Sequence, residues 1–85
     1  MTPARRLEAA LKTISDRDTL RHIAVVASVD PVRAADAAEA AATRVRISKL
    51  KRGLRRAEHT GATIAAARYA GQIRALEARI EWLER

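Results

Sequence analysis

The sequence predicts an all-α protein of three or four helices, a helical hairpin or bundle with a short coiled-coil-like helix at its C-terminal end. Three observations carry this expectation. The chain is rich in Ala, Arg and Leu, with only three glycines and two prolines, and those residue types favour helix. Apolar residues recur at spacings of three and four along most of its length, the period of a helix face. Helix-start signals stand before each of the first three stretches: Thr2-Pro3, Ser15-Asp16-Arg17-Asp18 and Asp30-Pro31.

With 85 residues the chain makes one small domain, 1–85, and buries a limited core. Much of the 48% hydrophobic content is alanine, with one Trp, one Tyr and no Phe. A core this thin leads us to expect a homodimer or a complex with a helical protein partner.

The first helix is expected over about 3–14. Thr2 can cap it, Pro3 suits its first position, and Leu7, Ala10, Leu11 and Ile14 form its stripe. The second, about 17–28, is lined inside by Leu20, Ile23, Ala24 and Ala27, with Val25 and Val26 widening the apolar band. Pro31 bars helical geometry at the residue before it, so a third helix starts at 31, capped by Asp30, and runs to about 59. Its first half is mostly alanine, with Arg33, Asp36 and Glu39 facing out, and should lie against the first two helices. Beyond Val45 the apolar side rotates to Ile47, Leu50 and Leu54, which implies a second packing environment.

Gly61 is expected as a left-handed residue closing the third helix, with a fourth helix at about 62–84; one helix running on to the C-terminus is the alternative. In the last segment Ala66, Tyr69, Ile73, Leu76, Ile80 and Leu83 alternate by three and four, a heptad seam. Tyr69, Ile73, Leu76, Ile80 and Leu83 are therefore the candidate oligomer or partner interface. A hairpin with the third helix would use the same seam. Trp82 sits beside it and could cover its end.

Charge supplies the functional signal. The segment from Arg44 to Arg56 holds seven cations (Arg44, Arg46, Lys49, Lys51, Arg52, Arg55 and Arg56) and no acid. Without them the remaining Lys+Arg and Asp+Glu balance, so the formal net charge of +7 resides in this segment. Ile47, Leu50, Leu54 and Ala57 share one arc of that helix, and most of the cations spread over the opposite side. One side can pack while the other meets a phosphate backbone. A solvated basic face and an acidic protein partner are the competing readings.

Among DNA-reading motifs, a helix-turn-helix would span Ala62 to Ile80 with Gly71 at its turn. Gln72 and Glu77 then occupy positions that want apolar residues, so the plain pairing helix is preferred. A ribbon-helix-helix lacks its N-terminal strand. A continuous basic helix followed by heptads matches the order of segments, although Gly53 and Gly61 interrupt it.

His22 and His59 lie on different elements, and there is no cysteine, so no metal site, disulfide or cofactor is expected. No glycine-rich phosphate loop, nucleophile elbow or carboxylate pair marks an active site, and no enzymatic activity or small-molecule substrate is expected. No apolar run reaches membrane-spanning length, and the expected location is the cytoplasm. The Ala and Arg usage is typical of high-GC bacteria.

From Leu20 to about Arg56 the chain resembles small actinobacterial helical DNA-binding regulators, whose N-terminal helices carry D-P-V-x-x-A-x-x-A-A followed by an arginine-rich helix and a helix-turn-helix. The matching residues are Asp30-Pro31-Val32, Ala35, Ala38 and the arginines from Arg44 onward. The resemblance implies DNA-linked regulation, while Ala62 to Arg85 departs from that family's reading head. The expected function is that of a small basic DNA-binding regulatory or accessory protein, contacting duplex phosphates through 44–56. The alternative is a helical interaction module (adaptor, antitoxin-like or binding the transcription machinery) without nucleic-acid contact.

Overall fold

Prolines and aspartates decide where the helices begin. In the computed structural model, which describes residues 2–85, α1 spans Pro3–Leu11, α2 Arg17–Val29, α3 Pro31–Thr60 and α4 Thr63–Leu83. The protein is an all-α four-helix bundle with no strand among the described residues. Thr2 Oγ1 accepts from the Arg5 N–H at 3.3 Å, Asp16 from Thr19 at 2.9 Å and Asp30 from Arg33 at 3.1 Å. Each cap satisfies one of the donors that a helix start leaves open. Asp16 also accepts from the Thr19 hydroxyl, and these two bonds hold its carboxyl below the ordinary value.

α1 is shorter than its apolar stripe suggested. It stops at Leu11, and single turns close Thr13 on Ala10 and Ile14 on Leu11. Asp16 is extended where it caps α2, so the residues before it form the connection rather than more helix. Ile14 nonetheless keeps its place in the core.

α3 is the spine. Its 30 residues span about 45 Å at 1.5 Å each, close to the 48 Å long dimension of the molecule. The two packing environments expected along it are both present. Ala34, Ala38 and Ala42 meet Ala10, Ile14 and Ile23 in one core, with Leu7, Leu11 and Leu20 packed around it. Small side chains let the helices approach closely here, and Ala34, Ala35 and Ala38 are fully buried. Further along, α4 folds back on Ile47, Leu50, Leu54 and Ala57.

α2 turns differently from the expected reading. Ile23 is buried, but Ala24 and Val25 face solvent, as do Val29 and Val32, with Val29 at 84% exposure. Apolar residues occur on more sides of this helix than α3 can cover.

Asp36 and Glu39 also depart from expectation. Instead of facing out they are half-buried between helices. The Arg6 guanidinium donates to Asp36 Oδ1 and Glu39 Oε2, both at 2.7 Å. Arg79 donates to Glu39 Oε1 through Nε at 3.1 Å and Nη2 at 2.9 Å. The two oxygens of one carboxylate thus tie α1 and α4 to α3. Burial pushes the Glu39 carboxyl up, but the hydrogen bonds from Arg6 and Arg79 outweigh it and hold the group below its ordinary value.

Candidate nucleic-acid interface

The hairpin of α3 and α4 is made by Gly61, the one left-handed residue among those described (φ 74°, ψ 18°). The Ala62 N–H bonds to the Ala57 carbonyl at 2.8 Å and the Gly61 N–H to that of Glu58 at 3.2 Å. This pair of bonds defines a Schellman ending. The break expected there is present, and the uninterrupted helix is not formed.

α4 returns antiparallel along α3. Ile73 and Leu83 are buried and Tyr69, Leu76 and Ile80 half-buried. The candidate interface set thus packs toward α3 within one chain, as a hairpin with the third helix would have it, with Tyr69, Leu76 and Ile80 still partly open. Val25, Val29 and Val32 are further large apolar side chains left exposed. Gly71 lies inside the continuous α4 with no turn, so the helix-turn-helix geometry is absent. Trp82 does not cap the seam. It is 54% exposed, and the Arg79 guanidinium lies 4.6 Å over its ring.

Gly53 does not interrupt the basic helix; α3 runs through it. A Cβ there would stand 2.6 Å from Tyr69 Cζ, so the missing side chain is what lets the Tyr69 ring lie against α3. Gly53→Ala should destabilise the native chain by about 1 kcal/mol, overpacking being partly offset by helix propensity. In a Tyr69→Ala background the same change should stabilise by about 1 kcal/mol. Thermal denaturation of the four proteins checks the reversal of sign, and stabilisation in both backgrounds would mean the ring simply moves aside.

All seven cations of 44–56 lie on this helix and are exposed. Among the described residues only Arg44 forms an ion pair, with Glu84 at the end of α4; Arg46, Lys49, Lys51, Arg52, Arg55 and Arg56 have no carboxylate within bridging distance. At about 100° per residue the seven divide into two rows. Arg46, Lys49, Arg52 and Arg56 form one, and Arg44, Lys51 and Arg55 the other.

The rows differ in their surroundings. Arg44 and Lys51 share a groove with Glu77 and Glu81 of α4 and with Glu84 just past its end, and Glu58 stands one turn beyond Arg55. The groove on the other flank is lined by Arg46, Lys49, Leu50, Gln72, Ala75 and Leu76, with no acid. Sequence reasoning gave the island of charge but not this asymmetry, which depends on which side of α3 the α4 glutamates reach.

His22 and His59 are exposed on separate helices, and no cluster of metal-ligating side chains occurs among the described residues. No helix among the described residues is long and apolar enough to cross a membrane. No protein-family model matches the chain, and neither the curated proteins nor the solved structures give a match.

Proposed function

We propose that this protein binds double-stranded DNA through α3, as a small regulatory or accessory protein. Arg46, Lys49, Lys51, Arg52, Arg55 and Arg56 would contact phosphates, with Arg44 a lesser contributor because Glu84 already neutralises it. The observation that carries the reading is six exposed cations without an ion-pair partner, on one continuous helix braced from behind by α4. Bound to a polyanion, they would release condensed counterions, which drives association.

Duplex is preferred over single strands because no aromatic side chain is free among the cations to stack on bases. Tyr69 lies against Gly53, and Trp82 is at the far end of α4 beneath Arg79. Phosphate contacts position a protein without reading sequence, so affinity should vary little between duplexes of different sequence. The resemblance of residues 20–56 to actinobacterial regulators points to the same class of function.

Salt titration of binding to a random-sequence duplex tests the proposal. Five or six phosphate contacts predict a slope of about −5 in log K against log salt. A slope near zero, or no binding at low salt, overturns it.

A further inference from the structure

The acid-free flank of the hairpin carries more than the phosphate contacts require. Two concavities run along it and share Gln72: one of about 420 Å3 that includes Leu50, Ala75 and Leu76, and one of about 500 Å3 lined by Ile64, Ala65, Arg68, Tyr69 and Gln72. Together they make a trough from Ile64 to Leu76, roughly 18 Å of helix. Its floor is apolar, its rim holds Arg46, Lys49 and Arg68, and it contains no carboxylate.

A phosphodiester backbone has no use for such a floor, because burying apolar surface under a charged, hydrated phosphate gains nothing. Solvent is a poor occupant too. Ile64 is 74% exposed, and Leu50, Tyr69 and Leu76 are only half-covered by the chain itself. The trough on the opposite flank has similar helices around it but carries Glu77, Glu81 and Glu84, so the two sides of one hairpin present opposite electrostatic character.

We infer that the Ile64–Leu76 trough docks an acidic amphipathic helix of a partner protein. Such a helix buries its leucine-like side chains on Leu50, Leu76 and Ile64, the helix-in-groove mode of recognition. Its flanking carboxylates meet Arg46, Lys49 and Arg68, which gives register and partner choice. A basic helix is rejected by the same cations. The inference goes beyond duplex binding. Since Arg46 and Lys49 belong both to the trough and to the phosphate strip, partner and duplex compete.

The test uses the full chain and a labelled synthetic peptide of about 18 residues, long enough to hold a helix, with leucines at helical spacing and glutamates beside them. Fluorescence anisotropy should show saturable binding. Ile64→Glu and Ile64→Ser, at an exposed position in the concavity that holds neither Arg46 nor Lys49, should weaken it by about tenfold or more, while changing duplex affinity by less than about threefold. Far-UV circular dichroism confirms that both variants fold. Equal binding of the peptide with its leucines replaced by serine, or with its glutamates replaced by lysine, would overturn the inference, as would no binding at all. Self-association of the native chain that Ile64→Glu abolishes would assign the trough to a second copy and overturn it too. Failure here leaves the salt dependence of duplex binding untouched, so the two readings fall separately.

Discussion

Changing Arg46, Lys49, Arg52 and Arg56 together to alanine is expected to lower duplex affinity by about 10^3-fold at about 0.1 M salt. The figure comes from the counterion argument: each lost phosphate contact removes about 0.9 from the salt slope, and four such contacts compound over a decade of concentration. The matched control is Arg44, Lys51 and Arg55 to alanine. On contact number alone it should cost roughly 500-fold, but Glu58, Glu77, Glu81 and Glu84 lie along that row and already cancel part of its field. Removing those three cations should cost about tenfold or less. Anisotropy titrations of both variants at several salt concentrations measure the difference. Equal losses would mean that the α4 glutamates do not divide the surface into unequal halves. Neither variant touches a buried side chain, so both should keep the helical content of the parent.

The second large effect concerns stability. Ile23→Ala is expected to cost 2–5 kcal/mol, roughly the range for deleting a buried Ile side chain. At roughly 0.05–0.15 kcal/mol per residue, that is a large share of what a chain of 85 residues possesses. The reason lies in what surrounds it. The N-terminal core pairs Ile14 and Ile23 with Ala10, Ala34, Ala38 and Ala42, and alanines contribute little area each. Ile23, at 2% exposure, is the most thoroughly buried large side chain of that cluster. Rigid α3 alanines have no side chain that can swing into the gap, so the cavity stays open. Urea denaturation followed by far-UV circular dichroism reads the loss. A cost below about 1 kcal/mol would show that α2 contributes little to holding the bundle together.

What the sequence made legible was mostly local. Thr2, Asp16, Asp30-Pro31 and Gly61 each act within four residues of themselves, and all four sit where their cap chemistry requires. The heptad seam was legible because a helix face repeats in one dimension, and a tight turn at Gly61 leaves an antiparallel partner nearby. The failures have one physical origin: they depend on residues far away in the chain. Glu39 looked solvent-facing because its partners, Arg6 and Arg79, are 33 and 40 positions distant. Val25 looked like core because α2 is apolar on several sides, and only the position of α3 selects among them. Gly53 looked like a flaw in a helix until Tyr69 was seen against it. The seven cations of 44–56 are a matter of sequence alone, yet their division into a compensated and an open row depends on the register of α4 on α3.

The elongated shape has a consequence for motion. The unbalanced cations occupy the half of α3 nearest the Gly61 turn, joined there by Arg68, while Glu77, Glu81 and Glu84 lie toward the other end of the hairpin. The centre of charge is therefore displaced from the centre of mass along the 48 Å axis. In the field of a large anion such a body feels a torque as well as a pull, and it swings its turn end forward before it touches. Collisions begin already aimed, and dissolved ions that shorten the reach of the field weaken the aiming along with the attraction.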